Sequence, residues 1–194
     1  LLRNMMTIPR RMGLAVAFGM VRSEVRMPDD EVCKSAYKTD ERYRHFMAMS
    51  LCLAKADKFI REKCGGREVA TVIAEDVPEK KTMLSSIPSI MRKKIFDLKK
   101  GSLVPTQLER ELGFVKQESD LRIERIRKTI HWVKKTEDPL VWVADACAYG
   151  LRRYFSEQKH GDLFARSILG HLPNLEDFRS SGSASMHDFT TSLY

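Results

Sequence analysis

The sequence predicts an α/β domain in which a mixed sheet is flanked by helices. Apolar runs of strand length alternate with amphipathic segments of helix length, and Gly and Pro residues separate them. With 194 residues the chain is long enough for one domain with a hydrophobic core. We expect residues 1–175 to form this domain and residues 176–194, with many Ser, Gly, Thr and Ala, to form a flexible or partner-dependent tail.

The first strand and the longest helix are predicted in the N-terminal third. Gly13–Val25 begins as an apolar run and then partly alternates, which is typical of a strand in a mixed sheet. Thr39 or Asp40 can cap a helix that runs to about Lys63, where the glycines at 65–66 stop it. Its apolar residues follow a helical spacing: Tyr43, Phe46, Met47, Leu51, Ala54, Phe59 and Ile60.

The middle of the chain predicts a second strand followed by helices. Glu68–Asp76 contains a continuous apolar run and ends in two acids, which indicates a buried strand. Pro78 can open a helix that runs to Lys100 and that Pro88 interrupts. A short helical piece is predicted at Thr106–Leu112.

The last third predicts a strand and two helices. Asp120–Lys135 has features of both helix and strand, and the alternation of its second half favours a strand. Asp138 and Pro139 form a helix-opening pair, so a helix is expected over residues 140–159. A final helix is expected at Asp162–Leu172.

The positive charge is concentrated in one segment. The whole chain has a formal net charge of +8, and Pro78–Lys135 alone has the same net charge. A local basic surface favours a polyanionic partner such as nucleic acid, the alternative being an ordinary solvated surface. The side chains expected at a nucleic-acid backbone are Lys80, Lys81, Arg92, Lys93, Lys94, Lys99 and Lys100.

The composition and the spacing of the cysteines also bear on membrane association, zinc binding and location. No apolar run reaches the roughly 18 residues that a membrane-spanning helix requires, so no membrane is expected as a partner. The four cysteines form no C-x-x-C pair and no zinc-ligand spacing. A reducing, cytoplasmic location is therefore expected. The pattern does not indicate an oligomeric state.

The first candidate site residue is Asp145. It is the only charged residue in the stretch Leu140–Tyr149, which is apolar on nearly every side and predicts a helix packed on more than one side. Because burying an unpaired carboxylate costs several kcal/mol, this acid is expected to bind a partner. The partner is a metal ion in an active site or, in the alternative, Arg152 in a structural ion pair.

The acids at the end of the second strand are the other candidates. Glu75 and Asp76 follow the apolar run, and the ends of such strands are where sheets of this class place their sites. Neighbouring side chains alternate faces, so one acid can face a cleft while the other faces away. With Asp145 they would bind Mg²⁺ or Mn²⁺, which prefer oxygen ligands; the alternative is two solvated acids.

The segment of residues 140–153 (LVWVADACAYGLRR) resembles the C-terminal signature of the family called domain of unknown function 3800, which has an Ala-Asp-x-x-Ala-Tyr helix near its end. The order of the preceding elements is also similar. The resemblance implies a ribonuclease H-like fold with clustered acids and nuclease-type chemistry. This chain has Trp142 where the family has Gln, and it lacks the family's opening Asp-Glu-Ser strand. Either that strand precedes Leu1 in a longer chain, or the acidic site is incomplete.

Two functions follow from these observations. The first is a divalent-metal-dependent nuclease or phosphodiesterase in which Asp145, Glu75 and Asp76 are the catalytic acids, with Asp145 and Glu75 holding the metal. The alternative is a non-catalytic module on the same fold that binds nucleic acid or protein, in which Asp145 pairs with Arg152.

Overall fold

The computed structural model describes residues 1–64, 67–92, 122–180 and 184–189. These residues form a mixed α/β protein, which confirms the predicted class. The elements in chain order are α1 (Leu2–Met6), α2 (Ile8–Arg11), β1 (Val16–Val21), α3 (Glu31–Tyr37), α4 (Asp40–Lys63), β2 (Ala70–Glu75), α5 (Pro78–Ser85), α6 (Ile87–Met91), β3 (Ile126–Val133), α7 (Pro139–Phe155), α8 (Gly161–Leu169), α9 (Leu175–Ser180) and β4 (Ala184–Phe189).

The described strands form two sheets of two strands each, where the sequence predicts one mixed sheet. β1 pairs with β4 in antiparallel orientation, and β2 pairs with β3 in parallel. β1 lies against α4 and pairs with a segment that composition alone assigns to a tail. Both α9 and β4 fall within the predicted tail of residues 176–194 or at its start.

The three predicted strands and the long helix are found at their predicted places. α4 begins after Thr39, whose hydroxyl accepts a hydrogen bond from the Arg42 N–H at 3.3 Å, and ends at Lys63. The second half of the ambiguous segment is strand β3, and Asp138 caps α7 by accepting from the Leu140 N–H at 2.8 Å. Each cap supplies an acceptor that the first helical turn lacks.

The structure confirms that Pro88 interrupts the helix expected from Pro78. This helix breaks at Ser86, before Pro88, because proline has no N–H to continue the ladder; its predicted extension beyond residue 92 and the piece at 106–112 lie outside the described residues. The end of the helix predicted at residues 140–159 differs from the prediction. α7 ends at Phe155, and α8 begins at Gly161, where a Cβ would approach Tyr154 Cα to 2.7 Å.

Two groups of buried side chains form the core. One joins α1, β1, α7, α8 and α9, and the other joins α4, α5, α6 and the start of β3. Cys52 and Cys147 are free thiols whose pKa burial raises to about 11. Within the described ranges, no helix combines the length and the apolar character needed to cross a membrane.

A buried carboxylate attaches β3 to α4. Asp57 has no exposed side-chain surface, and its Oδ1 accepts from three consecutive backbone N–H groups, those of Glu124, Arg125 and Ile126, at 3.0, 2.5 and 2.9 Å. Its Oδ2 pairs with the Arg61 Nε at 3.0 Å. The start of β3, and with it the register of the parallel sheet, is therefore held by one side chain of α4.

The contact between β1 and α4 depends on a glycine. A Cβ at Gly19 would overlap the Ala48 carbonyl oxygen and lie 2.9 Å from Leu51 Cβ. We expect Gly19→Ala to lower the free energy of unfolding by about 1 to 3 kcal/mol, because the strand must move away from rigid helix backbone. Urea unfolding checks this, with Ser35→Ala, at an exposed position of α3, as the comparison. A variant as stable as the wild type would contradict the close packing.

Candidate active site

The carboxyl ends of β2 and β3 meet at one edge of the parallel sheet. Glu75 is the last residue of β2, and it is in register with Val133, the last residue of β3. The chain then leads through Lys135 to the start of α7, which contacts β2. Glu75, Lys135 and Asp145 are thereby brought to the same edge, although they come from three different elements.

Lys135 is the centre of this group. Its ammonium forms an ion pair and a hydrogen bond with Asp145 Oδ2, while 42% of the lysine side chain and 49% of the aspartate side chain remain exposed. The hydrogen bond to Asp145 raises the pKa of Lys135, and the negative charges of Asp145 and Glu75 raise it further. The lysine therefore stays charged throughout the neutral range, beside two carboxylates.

The link between Lys135 and α7 is reinforced by the backbone. The Trp142 indole N–H donates to the Lys135 carbonyl, so the turn after β3 is tied to the first turns of the helix. In the same turn, the Lys134 N–H donates to Glu137 Oε2 at 3.1 Å. These contacts hold the lysine next to Asp145.

The surroundings of Asp145 differ from the sequence prediction. The prediction expects a buried carboxylate with a metal ion or Arg152 beside it, whereas half of the side chain is exposed and its partner is Lys135. The reason is that α7 buries only one face, the one formed by Val141, Ala146, Cys147, Gly150, Leu151, Tyr154 and Phe155. Trp142 and Tyr149 are apolar but lie on the exposed side.

Asp76 has a separate environment from Glu75, as expected for neighbouring positions at a strand end. Its Oδ2 pairs with the Lys81 Nζ at 2.9 Å, and this ammonium lies 5.9 Å from the centre of the Trp132 ring. Its Oδ1 is buried and accepts no hydrogen bond from the described residues. The carboxylate of Asp76 therefore connects the end of β2 to the first turns of α5.

The basic residues predicted at a nucleic-acid backbone are only partly described. The Lys80 Nζ lies 2.7 Å from His45 Nε2 and 3.4 Å from Glu41 Oε1, and Arg92 donates to the Ile126 carbonyl. Burial, and then the charge of Lys80, lower the pKa of His45. Lys80, Lys81 and Arg92 thus have partners within the chain, and the others lie outside the described residues: Lys93, Lys94, Lys99 and Lys100.

The edge suits a cation held by few protein ligands. In the described part of the chain no three His, Cys, Asp or Glu side chains are grouped closely enough to enclose a metal ion. Mg²⁺ is commonly held by one or two carboxylates together with water and substrate phosphates. Glu75 and Asp145, whose charges both act on Lys135, are the residues that could hold such an ion.

Sequence reasoning missed Lys135 as a member of the site. The position of Lys135 could have indicated it, because the residues that follow a parallel strand lie at the same edge of the sheet as the end of the neighbouring strand.

Comparison of the chain with models of protein families, with curated proteins and with solved structures finds no match.

Proposed function

We propose that the protein is a divalent-metal-dependent phosphodiesterase that acts on nucleic acid. The observation that supports this function is that the charges of Glu75 and Asp145, from distant parts of the chain, both act on Lys135 at the edge of the parallel sheet. Two carboxylates at such an edge are suited to bind a metal ion that also contacts a phosphate.

The residues of the site have distinct roles in this proposal. Glu75 and Asp145 would hold Mg²⁺ or Mn²⁺, which when bound supplies a Lewis acid for the phosphate and lowers the pKa of water. Lys135 balances the two carboxylates in the structure and, being half exposed, can turn from Asp145 toward the phosphate. The phosphate would then be bound by its positive charge.

We also propose a ribonuclease H-like arrangement for the sheet. The order of a long helix α4, a strand β2 that ends in an acid, a parallel strand β3 and a helix α7 that places Asp145 at the same edge supports it.

A second function is a nucleic-acid- or protein-binding module without catalysis. The Asp145–Lys135 ion pair favours it, because the lysine already compensates the charge of this carboxylate. The basic residues of β3 with exposed side chains, Arg127 and Lys128, would then contribute to a binding surface.

Labelled single- and double-stranded DNA and RNA distinguish the two functions. The protein is incubated with each substrate in Mg²⁺, in Mn²⁺ and in EDTA, and binding is measured over a salt series. We expect strand cleavage that needs the metal and stops in EDTA. Salt-sensitive binding without products would replace the enzyme by the module, and the absence of both binding and cleavage would overturn both functions.

A further inference from the structure

A cavity of about 810 Å³ is lined by none of the residues Glu75, Lys135 and Asp145. We call the edge of the parallel sheet where these three residues meet the acidic edge. The end of β1, the N-terminal half of α4, the C-terminal half of α7 and helix α9 surround the cavity. Its volume is within the range of small-molecule sites, about 300 to 1,000 Å³. The elements that form it belong to well-separated parts of the sequence, so no single motif reveals it.

Arginine side chains are concentrated in the wall of the cavity. Arg22, Arg44, Arg152 and Arg179 line it, together with three glutamates. Arg179 is neutralised by Glu157. The four guanidinium groups come from four different elements or their adjoining loops, so the fold, and no local sequence run, brings them together.

The other two glutamates of the wall balance the remaining charge only in part. Glu41 pairs with Lys80, outside the wall, at 3.4 Å. Glu24 accepts from the Ser23 hydroxyl at 3.0 Å. A backbone hydrogen bond, then this hydroxyl, and then the charges of Arg22 and Arg44 lower the pKa of Glu24. Among the described contacts, Glu24 is thus the glutamate of the wall that forms no ion pair.

Two of the four arginines, Arg44 and Arg152, form no hydrogen bond or ion pair with a carboxylate among the described residues. Arg44 donates one hydrogen bond, at 3.0 Å, to the neutral carbonyl of Val25. The guanidinium of Arg152 makes no hydrogen bond or ion pair with a described residue. Guanidinium groups with unused donors bind phosphate through paired hydrogen bonds.

The floor of the cavity is apolar. Phe155 and Phe178 line it, with their ring centroids 4.9 Å apart, and both side chains are buried in the core. Met20 and Leu175 extend this surface. A cavity with cationic groups on its wall and an aromatic floor suits a ligand that has a phosphate at one end and a flat, apolar group at the other.

We propose that this cavity binds a phosphate ester of nucleotide size, with Arg152 and Arg44 on the phosphate and the Phe155–Phe178 floor under its apolar part. This ligand site does not require the acidic edge to be catalytic. A free nucleotide and the phosphorylated end of a strand have the same recognisable chemistry.

Calorimetric titration of the full chain tests the proposal. The probes are adenosine monophosphate, adenosine, inorganic phosphate and a 5′-phosphorylated trinucleotide, all in EDTA so that no metal site contributes. We expect the monophosphate to bind and adenosine to bind at least about tenfold more weakly, because adenosine lacks charge-assisted hydrogen bonds. The trinucleotide binds more tightly than the monophosphate if the natural ligand is the end of a strand, and no more tightly if it is a free nucleotide.

Arg152→Gln is the decisive variant. The Arg152 guanidinium makes no hydrogen bond or ion pair with a described residue, so its replacement should not destabilise the fold. We expect about a tenfold or greater loss of monophosphate affinity, with an unchanged circular dichroism spectrum. Arg11→Gln, which removes the same charge from an exposed position on α2, should bind as the wild type does. Equal binding by wild type and Arg152→Gln, or no binding of any phosphate compound, would overturn the site. Equal affinity for inorganic phosphate and the monophosphate would overturn the nucleotide-sized ligand.

Discussion

Asp57→Ala should destabilise the protein by about 3 to 5 kcal/mol, the range measured when one partner of a buried charged pair is removed. The variant leaves three backbone N–H groups at the start of β3 without their acceptor and the Arg61 guanidinium without its carboxylate. Each unpaired buried donor costs desolvation that folding no longer recovers. Urea unfolding followed by circular dichroism measures the loss.

Asp57→Asn separates the loss of the acceptor for the backbone N–H groups from the loss of the charge that faces Arg61. The amide keeps one acceptor oxygen for the backbone of residues 124–126 but loses the charge that faces Arg61, so we expect a smaller loss than for alanine. Asp29→Ala is a matched control, because the side chain of Asp29 is 90% exposed and its pair with Lys34 is at the surface. If Asp57→Ala changed the stability no more than Asp29→Ala does, the attachment of β3 to α4 would not depend on this carboxylate.

Asp145→Asn should reduce metal-dependent cleavage by about a hundredfold or more if the proposed function is correct, a size typical of removing one charge-stabilising group from an active site. The variant should fold normally, since half of the side chain is exposed and ion pairs at such positions contribute little to stability. The amide also has no negative charge for a metal ion. Cleavage rates and Mn²⁺ binding, followed by electron paramagnetic resonance, should fall together.

Glu75→Gln is expected to show the same pair of losses, and Asp29→Asn should show neither. Because Mn²⁺ binding is measured without substrate, it reports on the carboxylates even if the natural nucleic acid differs from the one tested. Cleavage that survives both Glu75→Gln and Asp145→Asn would remove the acidic edge as the active site.

The secondary structure could be predicted where its signals are local. Caps at Thr39 and Asp138, and the apolar run before Glu75, lie within a few residues of the elements they define. The pairing of β1 with β4 could not be predicted, because β4 has few strand-forming residues and depends on its neighbour. The tail prediction rested on composition, which does not report such pairing.

Burial was harder to predict than helix formation. The helical spacing in α4 marks Phe59 and Ile60 as core residues, but both are only half-buried, whereas the charged Asp57 is fully buried. Its partners lie up to 69 residues further along the chain, so no local pattern can reveal them. A sequence pattern gives the face that prefers the core but not the polar groups that another segment satisfies there.

The candidate site could be predicted in part for the same reason. Glu75 stands out as an acid after an apolar run, and Asp145 as a lone charge in an apolar helix. Lys135 does not stand out, because it lies in a basic segment that is ambiguous between helix and strand. The arginine cavity has no sequence signature, since its lining residues come from four elements.

Helix α7 fixes the distance between the acidic edge and the cavity, because it contributes a residue to each. Asp145 and Arg152 lie on its exposed side, two turns apart, with Ala148 between them in the cavity wall. At a rise of about 1.5 Å per residue, the two backbone positions are about 10 Å apart along the axis. No loop lies between them, so loop movement cannot change this spacing. A molecule that reaches from the acidic edge to the arginines must bridge it, which a lone phosphate ion is too short to do.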